Sequence, residues 1–571
     1  MTSRRRFLQR AMLGLGTIAL TRRARCAPES TSTIEILLNE PLGTISPYIY
    51  GHFIEHMGTV IYDGVWVGEN SKIPHIGGIR RQLIDGLRNI RASIIRWPGG
   101  CFADSYDWQD GVGPRSSRPQ RANPYSDFMD SRALAGPQRY DPNQFGTHEF
   151  VNLCRLTGSD PFLAANLRGL PAQDFQRWME YCNAPAGTTA LAKQRERNGS
   201  KEPFNVLFWG IGNEVWGCGG GFTAAEYATE YRRFTEYLPR YGLDVKFIAT
   251  GAEFSGLADS TGADWIHQFM RRARRPSHPA ALYGMSLHFY AGWDTSASEK
   301  LFGAVNEAFQ AVPEGQSLES LLPDPLHYDA NGWYQQLREC AHIESFIEAS
   351  WAALGEEDPE HRVKIIVDEW DSWNRSGGSE LSPLNYEGRA VTLRDAIGSA
   401  MTLDIFNRHC DKVAMANRAM LINSGGSLFY AEGDRFVATP VYHVFQMYAA
   451  HQGAQCLRTV FNPSPIQYMN GKIPAILPGL SASASRNGHE MTLTVVNAHA
   501  TEFHELAISI RGAASTGGEV TTLTHANIHA RNSFDDPQAV HPVTTDLKQA
   551  GSLINYTAPP ASVTSIRLKL V

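Results

Sequence analysis

Short apolar runs rich in β-branched residues alternate with longer amphipathic stretches between about residues 48 and 450. Eight of these runs have the length and composition of buried strands: Tyr48–Phe53, Ser93–Arg96, Pro161–Asn166, Val206–Gly212, Val245–Thr250, Leu282–His288, Val363–Asp368 and Val413–Ile422. Helical periodicity lies between them, at Ile79–Asn89, Pro171–Tyr181, Ala224–Leu238, Trp333–Trp351 and Arg389–Phe406. Strands separated by helices are parallel, and eight such units favour an α/β fold with a closed (β/α)8 TIM barrel over residues 48–450. An open doubly wound sheet stays the alternative, because periodicity does not establish closure.

The pattern changes to a period of two after about residue 455. Met491–Val495 and Ile566–Leu570 alternate apolar and polar positions between turns rich in Gly, Pro and Asn. This alternation predicts a C-terminal antiparallel β-sandwich domain over residues 455–571. The early run Ile34–Leu38 precedes the barrel, and residues 30–45 are therefore assigned to the same sandwich.

The composition is that of a globular protein, with 43% hydrophobic and 19% charged residues, which excludes intrinsic disorder. The net charge of −6 and the absence of basic stripes argue against nucleic-acid binding. Eight Cys spread over 571 residues give no disulfide framework and no C-x-x-C motif. No H-E-x-x-H motif is present among 19 His, so neither a metal site nor a cofactor is expected.

The N-terminal 27 residues contain seven Arg and no acidic residue. Ser3 to Leu8 match the twin-arginine export pattern S-R-R-x-F-L, and the apolar stretch Ala11–Leu20 that follows is too short to span a bilayer. Residues 1–27 are therefore predicted to be a signal segment, and the protein is predicted to be exported by the twin-arginine route and to be periplasmic or secreted. A disordered basic terminus is the alternative. No membrane span is predicted in the mature chain.

Two of the predicted strands end in a glutamate next to aromatic residues. Glu214 follows the fourth strand, in Gly212–Trp216, and Glu369 ends the seventh, in Asp368–Trp370. Barrel enzymes place their sites at the carboxyl ends of the strands, and two carboxylates facing each other there can hydrolyse a glycosidic bond. A surface position for either glutamate is the alternative.

The motif Gly212–Asn213–Glu214 resembles the fourth-strand motif of the barrel clan of retaining glycoside hydrolases. Within that clan the chain is similar to glycoside hydrolase family 51, the α-L-arabinofuranosidases. The segments that carry the resemblance occur in the family's order, and a sandwich follows them: Phe53–His56, Ile94–Gly100, Tyr106–Pro114, Ser286–Tyr290 and Asp368–Trp370.

The resemblance implies a role for each matching residue. Glu214 would be the acid/base and Glu369 the nucleophile, with a separation of about 5 Å between their carboxyl groups. The remaining residues would bind substrate or support the pair: Asn213 at the hydroxyl beside the anomeric carbon, Glu55 at the furanose hydroxyls, Arg96 and Tyr290 beside the nucleophile, His288 beside the acid/base, Cys101 in the sugar pocket, and Trp216 and Trp373 as apolar walls. Simple core packing is the alternative for Cys101, His288 and the two Trp.

One position departs from the family pattern, because Met420 stands where the family has a Gln that contacts the sugar. A thioether cannot donate a hydrogen bond as an amide does, so the identity of the sugar is in question. The expected activity is exo-acting removal of terminal arabinofuranosyl residues from arabinan, arabinoxylan or oligosaccharides. A β-xylosidase or endo-glucanase on the same barrel is the first alternative, and a non-catalytic carbohydrate-binding protein is the second. The family often forms homo-oligomers, which the sequence leaves open.

Overall fold

The computed structural model describes residues 32–125, 139–252, 260–273, 282–292, 322–375 and 390–571, and the predicted signal segment lies outside them. Eight parallel strands close into a barrel: β2 (Gly51–Phe53), β5 (Ile94–Trp97), β8 (Asp160–Ala165), β9 (Phe208–Ile211), β10 (Lys246–Ala249), β11 (Leu282–Ala291), β12 (Lys364–Ser372) and β13 (Val413–Arg418). Each coincides with a run predicted from the sequence. The closed barrel is confirmed, and the open sheet is excluded because β13 pairs with β2.

Amphipathic helices follow the barrel strands and bury their apolar faces against them. The described helices are α1 (Arg81–Asn89), α2 (Thr147–Thr157), α3 (Ala172–Asn183), α4 (Ala190–Arg197), α5 (Ala224–Thr235), α6 (Ser260–Ala273), α7 (Ala330–Ala341), α8 (Ile343–Glu357), α9 (Leu393–Arg408) and α10 (Pro440–Tyr448). The single helix predicted over Trp333–Trp351 is instead two helices, α7 and α8, which meet at His342. No helix in the described part of the chain has both the length and the apolar character needed to cross a bilayer.

The C-terminal domain is one continuous sheet of nine strands: β1 (Ser32–Thr44), β16 (Gln455–Phe461), β19 (Leu480–Asn487), β20 (Glu490–Asn497), β21 (His504–Arg511), β22 (Ser515–Thr524), β23 (Val543–Leu547), β24 (Leu553–Ala558) and β25 (Ser562–Leu570). Its spatial order is β23-β22-β25-β20-β19-β16-β1-β21-β24. The pairs are antiparallel except that β1 runs parallel to β21. The early strand β1 therefore belongs to the same sheet as the C-terminal strands.

Short two-stranded pairs complete the fold: β3 (His75–Ile76) with β4 (Ile79–Arg80), β6 (Arg121–Ala122) with β7 (Tyr140–Asp141), β14 (Phe429–Glu432) with β15 (Arg435–Ala438), and β17 (Pro465–Asn470) with β18 (Ile473–Pro478).

The nine-stranded sheet curls so that its two halves share one apolar core. Leu506 and Ile554 near one edge pack in the same cluster as Val520 and Leu568 near the other. The Tyr556 hydroxyl, on edge strand β24, also lies within hydrogen-bond distance of hydroxyls on β22 and β25. The observed domain is therefore a sheet folded on itself.

The two domains are joined by buried polar contacts as well as by chain continuity. Asn407 on α9 donates to Ser483 Oγ on β19 at 3.0 Å. The Trp333 indole N–H on α7 donates to the carbonyl oxygen of Ala498 at 2.9 Å. The sheet thus buttresses the side of the barrel formed by its last helices.

We expect Ile36→Ala to lower the free energy of unfolding of the C-terminal domain by about 2–4 kcal/mol, because it leaves a cavity in a closed core. Ile36 is completely buried on β1, in the interior of the sheet. Urea-induced unfolding measures the change. Thr33→Ala, an exposed position of the same strand, is the matched control. Equal effects of the two substitutions would contradict the central position of β1.

Candidate active site

The residues selected from the sequence converge at the carboxyl end of the barrel. Glu55 follows β2, Arg96 lies in β5 and Glu214 follows β9, while Tyr290 and Glu369 lie near the ends of β11 and β12. Because parallel strands end on the same side of the barrel, side chains far apart in sequence meet there.

Glu214 and Glu369 face each other across this end of the barrel. One carboxylate oxygen of each lies within 4.8 Å of the other and of a ring nitrogen of His288. Retaining glycosidases hold their two carboxyl groups about 5–5.5 Å apart, whereas inverting enzymes leave about 6.5–9.5 Å for a water molecule. This close approach of the two carboxylates favours the retaining arrangement over the inverting one.

The Glu369 carboxylate accepts a hydrogen bond at each oxygen. Arg96 Nη1 donates to Oε1 at 2.6 Å, and the Tyr290 hydroxyl donates to Oε2 at 2.6 Å. These two donors come from opposite sides of the barrel end and fix the orientation of the carboxylate.

The Arg96 guanidinium contacts both Glu369 and Asn213, the residue next to Glu214. Its side chain is 1% exposed, and its Nη2 donates to Asn213 Oδ1 at 2.6 Å while Nη1 holds Glu369. The same guanidinium lies 4.8 Å from the centre of the Phe53 ring. Burying a cation without partners carries a large desolvation free energy. The carboxylates around Arg96 offset part of that free energy.

His288 lies between the acid/base candidate and a second buried carboxylate. Its Nδ1 is 2.8 Å from Glu214 Oε1, and its Nε2 is 3.2 Å from Asp368 Oδ1. Burial lowers the pKa of His288, but Glu369, Asp368 and Glu214 together raise it well above its ordinary value. The imidazole is therefore cationic at neutral pH, donates a hydrogen bond to Glu214 and forms an ion pair with Asp368.

Asp368 was not predicted to be a site residue. Neighbouring residues of a regular strand point to opposite faces, so a strand that directs Glu369 into the site would direct Asp368 away from it. The pairing of β12 is irregular here: Ser286 pairs with Ile366, but His288 pairs with Glu369. This bulge inserts one residue and brings Asp368 and Glu369 to the same side. Burial raises the pKa of Asp368, but Arg96 and His288 lower it below its ordinary value overall.

Glu55 is a buried carboxyl beside the nucleophile candidate. Its Oε1 accepts hydrogen bonds from the Phe102 amide and the Tyr125 hydroxyl, both at 2.9 Å. Desolvation, followed by repulsion from Glu369, raises its pKa to about 8. Tyr125 also escaped the sequence analysis, since it lies in a loop with no periodic signal.

The glycines of the Pro98–Gly99–Gly100 segment leave space for the two carboxylates. A Cβ atom on Gly99 would lie 2.6 Å from Glu55 Cγ, and one on Gly100 would lie 2.6 Å from Glu369 Oε1. Side chains at these positions would displace the carboxylates.

Glu214 occupies a strained turn after β9. Its φ angle is +38°, a region that non-glycine residues rarely adopt. The turn is held by Asp104, whose Oδ2 accepts from the Asn213 amide at 2.9 Å and whose Oδ1 accepts from the Leu167 amide at 2.7 Å. Asp104 thereby ties together the loops that follow β5, β8 and β9.

Cys101 forms a disulfide with Cys218, across 117 positions of sequence. The sequence analysis predicted no disulfide framework, and it did not anticipate this single disulfide. Sequence spacing could not reveal it, because the two loops meet only when the barrel closes. Both sulfurs lie close to Glu214, Cys101 Sγ at 3.8 Å and Cys218 Sγ at 3.6 Å from Oε2. Glu214 and the two sulfurs form one of two described groups whose potential metal-ligand atoms lie within 4.8 Å of one another.

Trp216, Trp373 and Met420 lie in the segments that follow barrel strands β9, β12 and β13. The Trp373 ring packs edge-on against Tyr290, with 4.9 Å between ring centres. Trp216 is half-buried in the turn that follows Glu214, and Met420 is buried just beyond β13. Their contacts with a sugar stay predictions.

Comparison with known proteins gives a consistent assignment. Residues 86–280 match the α-L-arabinofuranosidase 1 domain, and residues 368–562 match the α-L-arabinofuranosidase C-terminal domain. An intracellular exo-α-L-arabinofuranosidase of Bacteroides ovatus is 29% identical, over 98% of this chain and all of that protein. The GH51 arabinofuranosidase of Xanthomonas axonopodis pv. citri superposes with a TM-score of 0.81 at 29% identity, over 94% of this chain and all of that one. The α-L-arabinofuranosidase of Thermotoga maritima, solved as an arabinose complex, gives a TM-score of 0.73 at 26% identity, with the same coverage.

The prediction of export by the twin-arginine route to the periplasm or medium was wrong. The Bacteroides ovatus relative, which matches nearly the whole chain, is named an intracellular enzyme. The prediction relied on arginines followed by an apolar stretch, and such a composition is not specific to an export signal.

We expect the folded protein to lose stability as the pH rises from about 4.5 to 8, in part because of Glu55. With its pKa raised to about 8, folded Glu55 keeps a proton that the unfolded chain releases near its ordinary value. Glu55→Gln retains an acceptor but cannot ionise. Its free energy of unfolding relative to the parent should therefore rise by about 1 kcal/mol or more between pH 5 and 8.5.

Denaturant unfolding at the two pH values measures this difference. Glu236→Gln, at an exposed position, is the control and should leave the pH dependence unchanged. A pH dependence in Glu55→Gln equal to that of the parent protein would show that Glu55 has an ordinary pKa.

Proposed function

The chain belongs to the family 51 α-L-arabinofuranosidases, and from this premise we propose that it removes terminal arabinofuranosyl residues with retention of configuration, using Glu369 and Glu214. The observation that carries the proposal is that one carboxylate oxygen of each glutamate lies within 4.8 Å of the other. The exo-acting arabinofuranosidase activity follows from the family, and arabinose-containing glycans are the substrate class. Arabinan, arabinoxylan and their oligosaccharides are the proposed substrates.

The first step forms a covalent glycosyl-enzyme. Glu369 attacks the anomeric carbon, the bond to the leaving oxygen breaks, and Glu214 gives that oxygen its proton. Arg96 and Tyr290, each 2.6 Å from the nucleophile, hold it in line for attack. Asn213, fixed by Arg96, is proposed to bind the hydroxyl beside the anomeric carbon.

The second step hydrolyses the intermediate. Glu214, now a carboxylate, takes a proton from water, which attacks the anomeric carbon and releases Glu369. His288 lies within 2.8 Å of Glu214 and is cationic, so it stabilises the carboxylate form that acts as base. Asp368 is a positioning residue, because it touches His288 and Arg96 and neither reacting carboxylate in this arrangement.

The remaining contacts support binding of a single furanose ring. Glu55, with Tyr125 hydrogen-bonded to it, is proposed to accept from the ring hydroxyls, and Trp216 and Trp373 are proposed to form apolar walls. Cys101 and its disulfide would close the side of the pocket beside Glu214.

The substrate assignment is tested with initial rates on nitrophenyl glycosides of α-L-arabinofuranose, β-D-xylose and β-D-glucose. We expect cleavage of the arabinofuranoside to dominate, and Glu369→Ala to reduce its kcat by at least about 10⁴-fold through loss of the covalent step. Clear cleavage of the xyloside or glucoside without cleavage of the arabinofuranoside would contradict the proposal.

The loss of kcat/KM caused by Glu214→Ala should depend on the leaving group of the substrate. For a poor leaving group, kcat/KM should fall by about 10²–10⁴-fold, because the departing oxygen needs a proton. For a dinitrophenyl leaving group, which needs no proton, kcat/KM should be largely retained. Glu236→Ala is the surface control. An equal loss of kcat/KM with both leaving groups would argue against an acid role for Glu214.

A further inference from the structure

The Cys101–Cys218 disulfide lies against the acid/base candidate, and the hydrolytic reaction makes no use of its redox chemistry. Cys101 is on the loop after β5 and Cys218 is on the loop after β9. Their sulfurs are 3.8 Å and 3.6 Å from the same Glu214 oxygen, Oε2. Two sulfurs and a carboxylate oxygen therefore form a compact triangle at the edge of the sugar pocket.

This triangle has the dimensions of a tetrahedral zinc site. Zn–S bonds of about 2.3 Å and Zn–O bonds of about 2.1 Å, at tetrahedral angles, place sulfur and oxygen ligands about 3.6 Å apart. The two sulfur–oxygen separations already meet that requirement. Only the bonded sulfurs must separate, to about 3.8 Å. The Cα atoms of the two cysteines are 5.6 Å apart, so rotation about the Cα–Cβ bonds is sufficient.

We propose that reduction of the Cys101–Cys218 disulfide creates a Zn²⁺ site formed by the two thiolates and Glu214, and that the bound ion stops catalysis. A phosphine and one water molecule become a phosphine oxide, or a dithiol becomes a disulfide; in either case the S–S bond takes two electrons and breaks, and the cysteines take up the two protons released by the water or the dithiol. Zn²⁺ then displaces these two protons and binds both thiolates and Glu214 Oε2, while water fills the fourth position.

Inhibition follows because a carboxylate that coordinates zinc cannot hold the proton for the leaving group. This consequence rests on the proposed role of Glu214, whereas zinc binding itself does not. The second described cluster, formed by Glu214, His288 and Glu369, offers no thiolate, and its His288 already bridges two carboxylates. Zinc binding at the thiolates therefore requires reduction of the disulfide. Zinc binding at the second cluster would not require it.

The experiment measures zinc retention and activity on the same samples. The enzyme is treated with or without tris(2-carboxyethyl)phosphine, incubated with Zn²⁺, desalted and assayed for metal. Reduction should raise the thiol count of the denatured protein by two and should yield one tightly bound Zn²⁺ per chain, retained only after reduction. The reduced, zinc-loaded enzyme should lose activity by about 10²-fold, and EDTA should restore it.

Variants identify the ligands. Cys218→Ser and Cys101→Ser should each abolish the reduction-dependent zinc, and Glu214→Gln should weaken its retention by at least about tenfold, since a neutral amide is a poorer ligand. Cys410→Ser, at a free cysteine remote from the site, is the matched control and should behave as the parent protein.

Several outcomes overturn the proposal. Zinc that binds equally before and after reduction belongs to the second cluster or to the surface, and zinc retained by both cysteine variants excludes the thiolates. A thiol count that does not rise, because the disulfide resists reduction in the folded enzyme, also overturns it. Zinc retained at one per chain without loss of activity preserves the site but contradicts the role of Glu214 as acid/base.

Discussion

The buried positive charge of Arg96 is the interaction on which the arrangement of the site depends. A guanidinium with 1% exposure needs partners in the protein: Glu369 and Asn213 accept its hydrogen bonds, and Asp368 forms an ion pair with it at 3.5 Å. The nucleophile candidate and the amide beside the acid/base candidate are therefore held by one side chain. Because Arg96 lies in β5 while its partners lie on β12 and after β9, its contacts connect strands that are not neighbours in the barrel.

Around Arg96, positive and negative groups alternate through the site. His288 forms a second cation, bridging Asp368 and Glu214, and the two cations together lie against three carboxylates. A fourth carboxyl, Glu55, holds a proton at neutral pH, because burial and the neighbouring Glu369 raise its pKa to about 8. With these partners, the two candidate catalytic carboxylates lie close together, with one oxygen of each within 4.8 Å of the other.

Much of this could be predicted from the sequence, because the relevant signals are local. Each barrel strand is a short apolar run, and the catalytic candidates stand at the ends of two such runs, next to Trp. The residues that escaped prediction are those positioned by non-local or irregular features. Asp368 needs the bulge in β12 to face inward, Tyr125 reaches the site from a loop, and Cys218 meets Cys101 only across the closed barrel.

In the C-terminal sheet, too, the strands could be predicted from local sequence, whereas their pairing depends on contacts between distant residues. The alternation in Ile34–Leu38 predicts a strand, and the sequence placed it in the C-terminal domain. Its parallel pairing with β21 and the folding of the sheet onto a single core depend on contacts across more than 400 positions. Export was predicted from a short motif, S-R-R-x-F-L, and the apolar stretch after it, without any structural context, and that prediction failed.

The central claim is that Glu369, held by Arg96, is the nucleophile of a retaining reaction. The most direct measurement is mass spectrometry of Glu214→Ala after reaction with a dinitrophenyl α-L-arabinofuranoside, since the intermediate should form quickly and hydrolyse slowly. We predict that the protein gains the mass of one anhydropentose and that peptide mapping locates it on Glu369. A pentosyl group attached to any other residue, or turnover of this substrate with inversion of configuration, would contradict the account.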